Sequence, residues 1–229
     1  TDLKIMADGM NEDGDWSEMD LFGSVAGLET DEQRLRPFKT TSNNDLTYTN
    51  DHPILDNNGA SNPSFLLNNP ALNLNWNPFL HGVKFKLNDA FIGAYWATII
   101  SAQNEGEIMG CYDNDIPINL LIKLQTLSTA IRLTSGSSLN SDSFLGSFTD
   151  GSTNVPKKVL LTLTRNDSSN VSGYVNNFVN TVGSTSNSLL NYNLAFFGIN
   201  NVSSGIDSFE STCEGYGRGY IFGSSLIDS

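Results

Sequence analysis

The sequence predicts an all-β protein, a two-sheet antiparallel sandwich preceded by a mostly irregular, acidic N-terminal arm. Three observations carry this expectation. Only 16% of residues are charged, Asn, Ser and Gly are abundant, and short apolar runs recur between polar clusters from Leu46 onward. Strands joined by polar turns read this way, whereas helical chains are richer in Ala, Glu, Lys and Arg. At 229 residues the chain can bury a full core in one all-β domain.

Residues 1–45 are acidic and irregular. They hold a short expected helix from Ser17 to Val25 and a charged stretch from Glu29 to Arg36 that Pro37 closes. This part reads as an arm that could fasten the domain to a larger assembly, with the sandwich over 46–229. The expected strands are Phe65–Leu67, Gly82–Leu87, Ala94–Ile100, Glu107–Tyr112, Val159–Thr164, Ser172–Val175, Leu194–Ile199 and Tyr220–Phe222. In Val159–Thr164, Val159, Leu161 and Leu163 share one face and Leu160, Thr162 and Thr164 the other, as a period of two requires. Ile116–Leu133 fits both an alternating pattern and a helical stripe. Pro117 and the Ser135–Ser138 cluster bound it, which favours strand, a turn near Ser128, and strand.

The order of these segments resembles the concanavalin A-like jelly-roll superfamily, particularly its laminin-G-like members. The resemblance rests on Ala71-Leu72-Asn73-Leu74-Asn75, Pro78-Phe79 and Val83-Lys84-Phe85-Lys86-Leu87. It continues through Lys158–Asn166 and Ser172-Gly173-Tyr174-Val175-Asn176-Asn177, where Asn177 stands in place of the family's turn glycine. Phe196-Phe197-Gly198-Ile199, Gly219–Gly223 and Leu226-Ile227-Asp228 resemble its closing strands and tail. It implies two antiparallel sheets with loops gathered on one face, where members bind glycans, peptides or host surfaces. Fold alone does not fix function.

Twelve basic against 25 acidic residues give a net charge of −13, which repels a phosphate backbone and disfavours both nucleic acid and an anionic membrane surface as partners. No apolar run approaches the roughly 20 residues that cross a bilayer, so membrane insertion is not expected. Cys111 and Cys213 are either one bridge or two unpaired residues.

With only His52 and His81, and neither near a Gly-x-Ser-x-Gly nucleophile motif, a Ser-His-Asp triad is not expected. Glu18-Met19-Asp20-Leu21 copies half of the alternating-carboxylate strand of jelly-roll glycosidases. Phe22 and Gly23 stand where the second carboxylate belongs, and a retaining mechanism needs both. An enzyme is therefore not expected.

Asn11, Asp13, Asp15, Ser17 and Asp20 surround Gly14 in a frame that resembles a calcium loop of hard oxygen ligands. Gly9 occupies the first ligand position, and a solvated acidic turn capping a short helix accounts for the same residues. Asp113-Asn114-Asp115 offers a second oxygen-rich stretch that simple turn chemistry also explains. A glycan requires an aromatic platform and amide or carboxylate partners. Trp76, flanked by Asn75 and Asn77, and Tyr216, flanked by Gly215 and Gly217, are the aromatics with a loop-like context.

The leading functional expectation is a non-enzymatic surface-binding module, a bacteriophage virion appendage such as a fibre, spike or capsid decoration that binds host-surface glycans. The arm would contact other virion proteins, a homo-oligomer would suit such an assembly, and Ca²⁺ is the one cofactor considered. A stand-alone secreted or cell-surface lectin is the alternative, with a jelly-roll glycosidase or lyase third. The location is accordingly virion or extracellular surface.

Overall fold

The computed structural model describes residues 8–24, 31–48, 65–66, 72–102, 106–113, 118–125, 130–136, 142–147, 159–175, 178–183, 189, 191–196, 198–201, 205–208 and 213–228. Their strands are β1 (Met19–Ser24), β2 (Lys39–Thr40), β3 (Thr47–Tyr48), β4 (Phe65–Leu66), β5 (Leu72–Asn73), β6 (Ala90–Ala102), β7 (Gly106–Asp113), β8 (Ile118–Gln125) and β9 (Ala130–Gly136). β10 (Asp142–Ser147), β11 (Val159–Arg165), β12 (Asn170–Val175), β13 (Phe178–Gly183), β14 (Ala195–Phe196), β15 (Gly198–Asn201), β16 (Gly205–Ser208) and β17 (Cys213–Gly223) follow.

One sheet runs β13-β12-β11-β6-β17-β1-β2, with β4 also on β17; the other runs β10-β9-β8-β7-β14-β5-β3, with β15 joining β7 to β16. All pairings are antiparallel except the short parallel β7–β15 contact. The expected all-β two-sheet sandwich is the observed fold.

Local sequence explains several of these elements. In β11, Leu161 and Leu163 are buried on one face and Leu160 is exposed on the other, while Thr162 beside it is buried as well, so the apolar face is as expected and the opposite face is only partly open. The β11–β12 turn is fixed by Asp167, whose Oδ1 accepts the amides of Ser169 at 2.6 Å and Asn170 at 2.8 Å. Ile118–Gln125 and Ala130–Gly136 form a hairpin in which Gln125 faces Ala130. Alternation, and not the helical stripe, describes that segment. Asn177 lies outside the described residues.

The expected boundary at Leu46 is corrected by the structure. β1 lies inside the first sheet, with Leu21 opposite both Phe222 of β17 and Thr40 of β2. Met19, Leu21 and Phe22 are buried, and such burial is the energetic reason this stretch joins the sandwich. The helix expected from Ser17 to Val25 is a four-residue turn, Asp15–Glu18, that gives way to β1. The strand expected over Gly82–Leu87 is replaced by a capped helical turn, Pro78–His81, followed by an irregular stretch with a single bridge between Lys86 and Asp89.

The described core is aromatic and joins the two layers. Trp76, Phe85 and Phe222 are fully buried, with ring centroids 5.8 Å (Trp76–Phe85), 5.3 Å (Trp76–Phe222) and 6.3 Å (Phe85–Phe222) apart. Phe196 of the second sheet meets Tyr220 of the first at 5.3 Å. Tyr220 lies across Gly23, where an added Cβ would stand 2.1 Å from the phenol oxygen. Cys111 carries a free, buried thiol, so the bridge to Cys213 is not formed.

At the carboxyl end, Asp89 at the root of β6 accepts from the Ser224 hydroxyl, the Ser225 amide and the Ser225 hydroxyl at 2.7–2.8 Å. Burial raises its pKa, yet the Ser225 and Ser224 hydrogen bonds and the Lys84 charge outweigh that and hold it below the ordinary 3.8. A lowered carboxylate stabilises the fold above its unfolded pKa, and that stability is lost as pH falls through the folded value. The stability difference between the native chain and Asp89→Asn, measured by urea unfolding, should be full at about pH 6 and vanish well below about pH 4.

The phenol of Tyr220 has no hydrogen-bond partner among the described residues. Burying an unpaired hydroxyl costs about 1–3 kcal/mol, so Tyr220→Phe should unfold at equal or higher urea concentration than the native chain.

Candidate functional site

Gly14, at φ 86°, ends one helical stretch and starts the next turn, Asp15–Glu18. A glycine suits this left-handed conformation. The Ser17 hydroxyl donates to the Gly14 carbonyl at 2.8 Å, tightening the turn. Trp16 therefore projects beside β1 and β2, where its indole is half-buried. Its ring stands edge-on to Phe22, 6.3 Å away at 78°, and Phe22 in turn packs against the partly exposed Phe38 at 5.5 Å.

Charged groups on the neighbouring residues flank this part of the chain. The Lys39 ammonium lies 5.5 Å from the Trp16 ring centroid and also donates to the Trp16 carbonyl. Glu18 pairs with Lys84, whose Nζ stands 3.2 and 3.3 Å from the two carboxylate oxygens. Burial lowers the Lys39 pKa, and Lys84 adds to that, while Asp20 and Glu18 oppose it. A partly exposed indole with a cation over its ring combines an apolar face with a polar neighbour, the two kinds of group that a ligand carrying both apolar and hydroxyl surface requires.

Asp20 lies beneath this surface and is almost fully buried. Its Oδ2 accepts the amides of Lys84 and Phe85, both at 2.8 Å. Neither carboxylate of the Glu18/Asp20 half-motif is disposed as a glycosidase pair. Asp20 is committed to two backbone amides and Glu18 to an ammonium, whereas a nucleophile and an acid must both face the sugar.

The structure does not assemble the expected cation loop. Residues 8–12 are helical, the Asp13 amide bonds back to Gly9 and the Gly14 amide to Asn11. Ser17 is turned onto Gly14 and Glu18, and Asp20 points inward. The candidates Asn11, Asp13, Asp15, Ser17 and Asp20 are thus spread over two helical pieces, the bend between them and a strand. Among the described residues no three acidic, His or Cys side chains are grouped to hold a metal. Burial, with Asp13 beside it, raises the Asp15 pKa.

The two expected platforms are also relocated. Trp76 is fully buried, and its Nε1 donates to the Thr41 hydroxyl at 2.8 Å, so it cannot stack on a ligand. Its flanking asparagines shape backbone: Asn75 sits at φ 47°, and Asn77 caps the helical turn that follows. Tyr216 is no loop tip. It lies within β17 between Thr98 of β6 and Leu66 of β4, and its glycine neighbours mark register shifts in that strand. The Nδ1 of His81 accepts the Asn77 amide at 3.0 Å; His52, Asn114 and Asp115 lie outside the described residues. Sequence reasoning missed Trp16 because its acidic neighbours pointed to a cation loop. The available signal was Gly14 two residues before it and a lysine, Lys39, on the strand that pairs with β1.

No family profile matches the chain, and no curated protein matches it in sequence. Solved structures do. The botulinum neurotoxin serotype D binding domain aligns with a TM-score of 0.56 at 14% identity, over 90% of this chain and 47% of that one. The binding domain of Paraclostridial Mosquitocidal Protein 1 aligns at 0.54 and 14%, over 90% and 48%. Domain 4 of AbnA, a GH43 extracellular arabinanase from Geobacillus stearothermophilus in complex with arabinotriose, aligns at 0.55 and 16%, over 92% and 98%. The likeness is one of fold. The chain spans about half the length of the toxin binding domains but nearly all of the arabinanase domain.

Asp20→Asn keeps the shape of the side chain and weakens both amide contacts. Losing a charge-assisted acceptor costs about 1.5–3 kcal/mol. Denaturant unfolding should show that loss equally in excess calcium and in chelator.

Proposed function

We propose that this chain is a non-enzymatic glycan-binding module of a surface or extracellular protein, and that Trp16 is the stacking platform of its site. The observation that carries this reading is the partly exposed Trp16 side chain with the Lys39 ammonium over its ring, two residues before the Glu18–Lys84 pair in the chain. The fold likeness supports it: the arabinanase domain, matched over 98% of its length, was solved with a trisaccharide bound. Carboxylates occupied by structural partners favour binding over hydrolysis.

A bacteriophage appendage loses one of its motives, because the stretch read as a fastening arm contains a strand of the sheet, and none of the similar structures is a virion protein by its description.

The test is a glycan array followed by calorimetry on its strongest ligand, with arabinotriose included. Trp16→Ala should bind at least about tenfold more weakly, the equivalent of one stacked ring at about 1.4 kcal/mol, with its near-ultraviolet spectrum otherwise preserved. Trp76→Ala should instead lose about 3–5 kcal/mol of stability as a core truncation. Absence of glycan binding by the native chain, or native affinity in Trp16→Ala, would contradict the proposal.

A further inference from the structure

A second surface lies between Trp76 and Asp89. Phe79, Leu80 and Val83 are 59%, 63% and 62% exposed, while Pro78 and Phe85 on either side are buried. Single exposed apolar residues are ordinary, but three large ones within five positions on one turn are not.

The turn is built to keep them out. The Asn77 side chain accepts the amides of Phe79 at 2.9 Å and Leu80 at 3.2 Å, and its Nδ2 donates to Asn191 at 2.8 Å. The Asn77 amide donates to His81 Nδ1, the His81 amide returns to the Asn77 carbonyl at 2.8 Å, and the Thr41 hydroxyl donates to the His81 carbonyl at 2.7 Å. Gly82 passes so close that a Cβ would stand 2.4 Å from the Pro78 carbonyl oxygen and 2.7 Å from that of Phe85. Beyond it, Asp20 grips the amides of Lys84 and Phe85. These bonds fix the backbone path of the turn with Phe79, Leu80 and Val83 directed outward.

Charge completes the picture. Residues 57–88 contain no Asp or Glu, in a chain with 25 of them, yet include His81, Lys84 and Lys86. The Lys86 ammonium donates to the Gly82 carbonyl at 2.6 Å, which tethers a cation at the base of the apolar tip. Lys84 shares its charge with Glu18, and Asp89 is turned to Ser224 and Ser225.

We propose that the Pro78–Val83 turn docks on a phospholipid bilayer. Phe79, Leu80 and Val83 enter the boundary between headgroups and acyl chains, and Lys86, with a share from Lys84, meets lipid phosphates. This is interfacial docking, not spanning. A bilayer suits the surface better than a protein, since a stable protein interface needs about 20–30 residues a side, and a three-residue tip falls far short. The net charge of −13 opposes an anionic surface at long range, and screening of exposed charges beyond about 8 Å at physiological salt limits that opposition to the groups near the tip.

Vesicle co-sedimentation tests the proposal. The native chain should pellet with phosphatidylcholine vesicles containing phosphatidylserine, more weakly with phosphatidylcholine alone and more weakly at high salt. Phe79→Ser combined with Leu80→Ser should reduce partitioning at least about tenfold at an unchanged melting temperature. Phe79→Trp should blue-shift its emission on vesicle addition and be quenched by bromine-labelled acyl chains. No pelleting by the native chain, native partitioning in the double variant, or loop-dependent self-association without vesicle binding would overturn it. The double variant leaves Trp16 and Lys39 intact and should keep native glycan affinity, so failure of either reading shows without the other.

Discussion

The carboxylate of Asp20 organises the best-defined part of this molecule. It is nearly fully buried on a strand in the sheet, where an uncompensated charge would be prohibitive, and it receives the amides of Lys84 and Phe85. Its own carbonyl accepts the Thr41 amide at 3.1 Å. The side-chain bonds fix the chain direction after Gly82, sending Phe85 inward to Trp76 and Phe222 and Lys84 outward to Glu18. The Glu18 carbonyl then accepts the Ser224 amide at 2.9 Å, closing the edge of β1 onto the end of β17. Three segments distant in sequence thus converge on two acidic positions one residue apart.

Both proposed surfaces grow from this node on opposite sides of it in the chain. Upstream, the turn that leads into β1 sets Trp16 beside Lys39. Downstream, the segment that Asp20 grips runs back through Gly82 to the Pro78–His81 turn, whose His81 carbonyl shares Thr41 with the buried Trp76 indole. The same hydroxyl therefore reports on the core and on the surface. A rigid scaffold that presents variable turns is the usual arrangement for recognition on a β-sandwich.

The fold class was legible because it depends on a property the sequence displays directly, the alternation of apolar and polar residues between turn clusters. β11 and the β8–β9 hairpin illustrate this. The N-terminal strand was not legible, since its partners, Gly219–Gly223 and Lys39–Thr40, are set by long-range pairing. Val83–Leu87 alternates like a strand, yet its amides at 84 and 85 go to a side chain, and no local pattern announces that competitor. The site inverted for a related reason. Trp76 among asparagines looks exposed, but those asparagines serve left-handed backbone and a helix cap, whereas Trp16 among acids looked like scenery around a cation. Asp20 read as a ligand for a metal and is a ligand for peptide amides, chemistry that uses the same oxygen.

Amide hydrogen exchange followed residue by residue tests the central claim most directly. If Asp20 holds the segment, the amides of Lys84 and Phe85, though outside any strand, exchange as slowly as those paired within β1 and β17. In Asp20→Asn they should lose that protection while the β11–β12 hairpin keeps its own. Rapid exchange of both amides in the native chain, or unchanged protection in the variant, would contradict the account.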